Sequence, residues 1–367
     1  MPRLRRADCS APGIRRRRAG KGWAYTWPDG RKVTEPDVRE RIDALVIPPA
    51  WRDVWICPWP NGHIQALGTD AAGRRQYRYH DFWRLQRDKA KHDRVLEFAE
   101  RLPAAREQAA QDLALPGMPR ARALACAFRL LDLGFFRVGS EEYAEENGTY
   151  GLATLLREHT TIQGHEVVFE YLAKGSKARV QSIADDAVLA VVRELLDRDD
   201  PQEGLLAYQN EDGSWVDVKS GDINEYVKQV AGEDVSAKDF RTWHATVLMS
   251  VALAVSAAAG GSPTARKRAI SRGVTEVSTY LGNTPAVCRK SYIDPRVIDK
   301  YEDGVTIAAD LERLGADAVF GEPAIHGEIE AAVLRMLGNP ALESERRLAK
   351  SHTTKRPRTR SATAKAA

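Results

Sequence analysis

Three residue types in this sequence could act together on a phosphate ester. Arg137 lies in GFFRVGS, after an apolar stretch, where its planar guanidinium can present two N–H groups to an anion. Arg241 lies in KDFRTWH, at a predicted helix start, where free backbone N–H groups and the helix dipole also favour an anion. Asn283 in LGNTP can donate a hydrogen bond to a phosphate oxygen. The hydroxyl of Tyr292 in RKSY can attack phosphorus.

A lysine is available to act as an acid beside them. Lys174 comes just before a Gly-Ser pair that predicts the turn of a β-hairpin. A hairpin tip can place a flexible ammonium group in a groove, where it can protonate a departing alkoxide. Lys177 on the same hairpin is a further candidate for contact with the substrate. So is His244, which is three residues after Arg241 and on roughly the same helical face.

Each of these residues also has a common structural explanation. An arginine beside a glycine usually forms a surface salt bridge, a lysine at a turn is routine, and most tyrosines only pack in a core. His244 is more simply explained as a partly buried histidine with satisfied hydrogen bonds. The residue types alone therefore leave the function open.

The order of these segments along the chain resembles the catalytic domain of type IB DNA topoisomerases, in the small branch that poxviruses and bacteria share. The resemblance covers about residues 45–300 and is carried by two long motifs, GHIQALGTDAAGRRQYRYH and LGNTPAVCRKSY. One position departs from the viral and nuclear relatives, which have histidine where this chain has Asn283. We interpret Asn283 as a hydrogen-bond donor that is retained without the positive charge.

The resemblance implies a mechanism as well as a family. Tyr292 would attack the phosphodiester, and Lys174 would protonate the leaving 5′-oxygen. Arg137, Arg241 and Asn283 would stabilise the negative charge of the transition state. The product would be a DNA 3′-phosphotyrosyl ester that is resealed without ATP, so that supercoiled DNA relaxes. Because the sequence has neither a GxxxxGK[ST] motif nor an acidic cluster with Mg²⁺ spacing, we expect no cofactor and no required metal.

The elements that must position these residues fall into two groups, which predict an α+β protein. Alternating aromatic and β-branched residues predict a small N-terminal antiparallel β-sheet domain over residues 23–85. Helical periodicity over residues 86–336 predicts a larger, mostly α-helical catalytic domain that carries a short β-hairpin sheet. Residues 1–22 are predicted to be a basic extension, and residues 337–367 a basic, disordered tail.

The N-terminal domain is predicted to grip double-stranded DNA from the side opposite the tyrosine. Strand alternation puts Tyr77 and Tyr79 on one face and Gln76 on the other, with Arg74 and Arg75 nearby. Side chains of these types can contact phosphates and base edges in a groove. The alternative is that both tyrosines belong to a core. With DNA as the partner, we expect a monomer that closes around the duplex as a clamp.

Charge is distributed unevenly along the chain, which has a net charge of +4. Residues 1–22 carry eight Lys and Arg against one acid, and residues 346–367 carry eight and no acid. The two ends together contribute +15, so residues 23–345 carry −11. A DNA-binding face on the folded part must therefore be a segregated basic surface.

The remaining features favour a cytoplasmic protein. The four cysteines lie far apart without a CxxC pair, which argues for a reducing compartment and against a structural zinc site. The longest apolar run, residues 247–259, is too short to span a bilayer, and no signal peptide is evident. We therefore expect no membrane partner.

Two other classes of DNA-binding protein are alternatives for this sequence. Tyrosine recombinases share this catalytic chemistry, but they usually have a histidine three residues before the second arginine, where this chain has Lys238. They also lack the GRRQYRYH β domain. A non-catalytic DNA-binding protein would have no reason to keep all the chemical residue types in this order.

Overall fold

The computed structural model describes residues 3–257, 261–316 and 326–338. The chain divides into two compact units, residues 1–93 and 94–367. The first is built on an antiparallel sheet and the second is mostly helical, so the predicted α+β class is confirmed.

The predicted boundary between the two domains differs from the boundary between the two units of the structure. The predicted break after residue 85 lies inside a helix, Asp81–Leu113, that runs across it. The units separate further along the same helix, after residue 93. The predicted disordered tail lies, from residue 339 on, outside the described residues.

The N-terminal unit contains five strands and one helix in the part of the chain described. They are β1 (Ile14–Ala19), β2 (Gly22–Thr26), α1 (Pro36–Ala44), β3 (Arg52–Ile56), β4 (Ile64–Thr69) and β5 (Arg75–Tyr79). The strands form one antiparallel sheet in the order β2-β1-β3-β4-β5. On one face Ile14 and Ile56 pack with Ile42 of α1. On the other, Trp55 and Leu67 pack under Ala7 of the N-terminal segment.

The prediction that residues 1–22 form an extension is wrong for much of that segment. Strand β1 lies inside the sheet, between β2 and β3. Its charged composition hid this, because four consecutive arginines look like a solvated tail. The arginine stems can still pack: the guanidinium of Arg16 lies 4.0 Å from the ring centre of Trp23.

The second unit carries the remaining elements. They are α2 (Asp81–Leu113, which begins in the first unit), α3 (Arg120–Gly134), α4 (Glu141–Asn147), β6 (Thr160–Gln163), β7 (Glu166–Ala173), β8 (Lys177–Ile183), α5 (Asp186–Leu196), β9 (Ala207–Gln209), β10 (Trp215–Asp217), α6 (Ser220–Ala231), α7 (Ala237–Ala257), α8 (Pro263–Leu281), α9 (Pro285–Ser291), α10 (Pro295–Glu302), α11 (Ala308–Ala316) and α12 (Glu328–Gly338).

Local sequence signals set the elements that carry the predicted site. Strands β6, β7 and β8 form one sheet, and the β7–β8 hairpin turns at Gly175 and Ser176, both with positive φ, as predicted. Helix α7 starts at Ser236, whose backbone N–H and hydroxyl both donate to Asp239. Helix α8 starts with Ser262 as its N-cap, which accepts from Ala265 N–H.

Helices α3 and α7 pack against each other within the core of the second unit. Phe128 of α3 packs edge-on against Phe240 of α7, with ring centres 5.2 Å apart. Both rings are fully buried, as is Trp243 one turn further on. This contact joins the helix that precedes Arg137 to the helix that carries Arg241. Among the described helices, none is long and apolar enough to cross a membrane.

Candidate active site

The end of α3 turns sharply to present Arg137. Phe135 ends the helix with a positive φ of 56°. Gly134 precedes it because a Cβ there would lie 2.2 Å from the ring of Phe136. That ring is buried, and Arg137, the next residue, is half-buried at the edge of the core.

Arg137 binds the junction between α8 and α9. Its Nη2 donates to Asn283 Oδ1 at 2.6 Å and approaches Gly282 O at 3.4 Å. Because a guanidinium can only donate, the amide of Asn283 must turn its oxygen towards Arg137 and its NH₂ group away. The Nδ2 atom of Asn283 is buried and has no partner among the described residues. The amide is therefore oriented with a donor to spare.

Arg241 is a charged residue that is almost completely buried, with only 3% of its surface exposed. It donates to Phe135 O and, at 2.6 Å, to Leu281 O, so it ties the end of α3 to the end of α8. Burial, with the nearby charge of Arg137, lowers the pKa of Arg241 to about 10. It therefore remains charged near neutral pH. Its Nε has no partner in the part of the chain described.

Tyr292 follows α9 directly and faces the arginines. Its N–H donates to Cys288 O at 3.0 Å, which closes the last turn of the helix. The guanidinium carbon of Arg241 lies 5.4 Å from the centre of its ring. Thr284 caps the start of α9 by accepting from Val287 N–H, and Pro285 occupies the first helical position. The short helix thus holds Tyr292 at a set distance from Asn283.

One cavity brings most of the predicted residues together. It has a volume of about 440 Å³, and its lining includes Arg137, Lys174, Arg241 and Tyr292. Lys174 is exposed at the tip of the β7–β8 hairpin. Lys238, which the sequence singled out only as a difference from recombinases, also lines the cavity. A neighbouring cavity of about 590 Å³ is lined by Lys177, the other predicted hairpin contact.

The structure adds Arg179, to which no sequence pattern pointed. This half-buried residue of β8 donates to Thr279 O at 3.3 Å and to Tyr280 O, both in the last turn of α8. Burial lowers the pKa of Arg179. The alternation in KARVQ predicted the strand but gave no sign of the helix end that Arg179 binds. Its contacts connect the hairpin to the segment that carries Asn283.

The structure does not support the predicted DNA contact of His244. Its side chain is fully buried, with the ring centre 5.3 Å from that of Phe135 and Nε2 3.7 Å from Asp132 Oδ1. The spacing of three residues does place His244 near Arg241 along the helix. However, α7 is buried over much of its circumference, so that proximity does not imply access to the cavity.

His244 instead belongs to a buried polar cluster behind the site. Arg106 of α2 donates to both carboxylate oxygens of Asp132 at 2.8 and 2.9 Å, and to Glu330 of α12 at 2.5 and 3.0 Å. Burial alone would raise the pKa of Asp132, but the neighbouring His244 ring and the hydrogen bonds from Arg106 hold it well below its usual range. Asp132, His244 and His326 have metal-ligand atoms within 4.8 Å of one another. Because Arg106 already binds both oxygens of Asp132, we assign the cluster a structural role.

The predicted DNA-contacting residues of the N-terminal unit lie on and beside β5. Tyr77 and Tyr79 are 42% and 40% exposed, and their rings stack with centres 5.9 Å apart, so they are not core residues. Gln76 lies on the other face, as predicted, and donates to Asp70 at 3.0 Å. Arg74 also pairs with Asp70, and Arg75 is exposed.

Comparison with known proteins gives matches over most of the chain. Residues 80–314 match the family described as eukaryotic DNA topoisomerase I, catalytic core, and residues 22–70 match bacterial DNA topoisomerase IB, N-terminal domain. DNA topoisomerase 1B of Acanthamoeba polyphaga mimivirus is 29% identical over 297 residues, which are 79% of this chain and 88% of that protein. DNA topoisomerase I of monkeypox virus is 22% identical over 239 residues, 65% of this chain and 72% of that protein.

Solved structures give a weaker likeness. The XerH site-specific recombinase bound to difH substrate, in its pre-cleavage complex, aligns with a TM-score of 0.34 and 15% identity. The alignment covers 55% of this chain and 51% of that chain. A likeness at this level carries no argument about function.

Proposed function

The chain belongs to the type IB DNA topoisomerase family, and on this premise we propose that Tyr292 cuts and reseals one strand of duplex DNA, which relaxes supercoils. The observation that carries the proposal is the single cavity in which Tyr292 meets Arg137, Arg241 and the hairpin lysine. Two guanidinium groups beside a phenol suit an anionic phosphorus centre. A non-catalytic DNA-binding protein would need neither the phenol nor its placement.

In the proposed reaction, Tyr292 Oη forms a bond to phosphorus and the bond from phosphorus to the 5′-oxygen breaks. The phenolic proton passes to solvent. The leaving 5′-oxygen takes a proton from Lys174, whose place at the hairpin tip lets it approach a bound strand. The products are a 3′-phosphotyrosyl ester and a free 5′-hydroxyl. One phosphoester replaces another, so the reverse reaction needs no ATP.

Positive charge in the cavity supplies the stabilisation of the transition state. Attack adds negative charge to the non-bridging oxygens, and donors aimed in advance at that charge lower the barrier. The unused Nδ2 of Asn283 and the unused Nε of Arg241 are candidate donors in the structure described. Each such donor is worth roughly 10²–10³ in rate by analogy with oxyanion holes.

Double-stranded DNA is the proposed partner of both units, with the enzyme acting as a monomer. In the N-terminal unit the proposed contacts are Arg74, Arg75, Gln76, Tyr77 and Tyr79. In the catalytic unit Lys177, exposed beside the hairpin tip, is a further proposed contact. We do not propose a contact for His244, because its side chain is fully buried.

A plasmid assay tests the proposed function. Wild-type protein should relax a supercoiled plasmid without ATP or added Mg²⁺. Tyr292→Phe should bind the plasmid and leave it supercoiled, because only the nucleophilic oxygen is lost. The matched control is Tyr208→Phe, which removes the hydroxyl of a half-buried tyrosine on β9 that does not line the cavity, and which should relax the plasmid normally. Relaxation by Tyr292→Phe would overturn the assignment of the nucleophile.

A further inference from the structure

Strand β1 contains four consecutive arginines, whose side chains alternate between the two faces of the sheet. Those of Arg16 and Arg18 lie on the face where they approach other residues of this unit. Arg16 donates to three backbone carbonyls, among them Trp51 O at 2.7 Å, and stacks on Trp23. Arg18, two residues on and therefore on the same face, lies 5.3 Å from that ring. This face of the sheet carries α1 and the main core of the unit.

Arg15 and Arg17 lie on the opposite face of the sheet and do not make contacts like those of Arg16. Both side chains are exposed, and neither forms an ion pair or a side-chain hydrogen bond with any residue in the described part of the chain. Two like charges on one strand face repel each other and add nothing to the fold. Their presence is explained if they bind something anionic from outside.

The strand register places these two arginines on the same face as the exposed tyrosines. Arg15 is paired with Trp55, Trp55 with Leu67, and Leu67 with Tyr77, and directly paired residues share a face. Three strand spacings separate β1 from β5, or about 14 Å. That distance is close to the width of the DNA major groove, about 12 Å.

The charge of the whole N-terminal unit fits a polyanion. Residues 1–93 contain 20 Lys and Arg against 11 Asp and Glu, a net charge of +9. Because the chain as a whole has +4, residues 94–367 carry −5. The basic character of the protein is therefore concentrated in the unit that presents Arg15 and Arg17.

We infer that Arg15 and Arg17 bind phosphates of the duplex, so that β1 is a second DNA-contacting strand on the face that presents Tyr77 and Tyr79. This inference rests on the proposed function, since it assumes that DNA is the partner. It makes the basic N-terminal segment an ordered part of the DNA interface. The contacts are to the backbone and are independent of base sequence.

The salt dependence of DNA binding tests this assignment. Binding of a short duplex is measured at several NaCl concentrations, with every variant in a Tyr292→Phe background so that no strand is cut. Each phosphate contact contributes about 0.9 to the slope of log K against log salt concentration. The double variant Arg15→Ala with Arg17→Ala should therefore lower the magnitude of that slope by about 1.8.

Two further double variants keep the test specific. Arg18→Ala with Arg39→Ala removes the same charge from exposed residues on the side of the sheet that carries α1, and should keep the parent slope. Arg15→Lys with Arg17→Lys preserves the charge and should also keep it. An unchanged slope for the alanine pair would overturn the inference, as would a lysine pair that loses as much slope as the alanine pair.

Failure of this inference can be told apart from failure of the proposed function. If wild-type protein relaxes plasmid but the alanine pair keeps the parent slope, only the role of β1 falls. If wild-type protein does not relax plasmid, the proposed function itself falls.

Discussion

The amide of Asn283 illustrates how one side chain can be oriented by its neighbour and still be available for a substrate. Its oxygen accepts from Arg137 at 2.6 Å, and its nitrogen has no partner among the described residues. An unpartnered buried donor is unfavourable by about 1–3 kcal/mol, which binding of a phosphate oxygen would offset. This geometry argues that the hydrogen atoms of the NH₂ group are what the site needs.

Substitutions of Asn283 can test the role of its NH₂ group separately from the role of its carbonyl oxygen. Asn283→Asp keeps an acceptor for Arg137 but loses the donor and adds negative charge, so DNA cleavage should slow by roughly 10²–10³. Asn283→His restores a donor and should remain active. The measurement is the single-turnover rate of cleavage of a duplex that cannot be resealed.

The control for Asn283 is Asn210→Asp, the same change at an exposed turn between β9 and β10. It should cleave at the wild-type rate. Wild-type cleavage by Asn283→Asp would show that the free nitrogen plays no part in the reaction.

The junction between α8 and α9 positions Asn283, and it depends on a single glycine. Gly282 ends α8 with a φ of 62°, in the left-handed region that other residues enter at a cost of about 1–2 kcal/mol. A Cβ on Gly282 would also lie 3.0 Å from Nη1 of Arg179. The junction therefore combines a backbone requirement with a close approach of the hairpin.

Substitution of Gly282 by alanine should slow catalysis as well as lower stability. The added Cβ pushes against Arg179 and strains the residue before Asn283, so the cleavage rate should fall by tenfold or more, about 1.4 kcal/mol in barrier. Gly304→Ala is the matched control, because it also has a positive φ (80°) after a helix but no heavy atom within 4 Å of its Cβ position. Thermal unfolding and the cleavage rate are measured for both.

Gly304→Ala should lose a comparable amount of stability and keep its cleavage rate. Equal cleavage rates for the two variants would indicate that the close contact at Gly282 does not position the site.

Three helices far apart in the sequence are joined behind the site by one arginine. Arg106 of α2 binds Asp132 of α3 and Glu330 of α12, and Glu330 also accepts from Trp243 of α7 at 2.7 Å. Burial opposes the charge of Arg106, but its hydrogen bonds to the two carboxylates raise its pKa above the ordinary value. The cluster ties the helices that carry the catalytic segments into one body.

Removal of Arg106 should destabilise this unit strongly. Arg106→Met removes the one positive charge that pairs with both buried carboxylates, so the free energy of unfolding should fall by about 3–5 kcal/mol. Arg120→Met is the control, because Arg120 pairs with Asp222 and Glu225 at a partly exposed position, where less than about 1 kcal/mol is expected. Denaturant unfolding followed by circular dichroism measures both, and equal losses would contradict the structural role of the cluster.

The sequence alone was enough for the properties that depend on local pattern and residue order. The α+β class, the β7–β8 hairpin, the caps of α7 and α8 and the family all follow from periodicity, turn residues and long motifs. The alternation of β5 also placed Tyr77 and Tyr79 correctly on one face. Such features depend on neighbours a few residues apart or on motifs, and both can be read directly from the sequence.

Only the tertiary structure decided which residues distant in sequence become hydrogen-bond partners and which side chains are buried. The sequence could not tell that β1 enters the sheet, since Arg16 donates to carbonyls more than 30 residues away. It also placed His244 near DNA, whereas packing around α7 buries it beside Asp132. The orientation of Asn283 by Arg137 joins residues 146 positions apart. Burial and hydrogen-bond partners depend on which segments meet in space, and local sequence does not determine that.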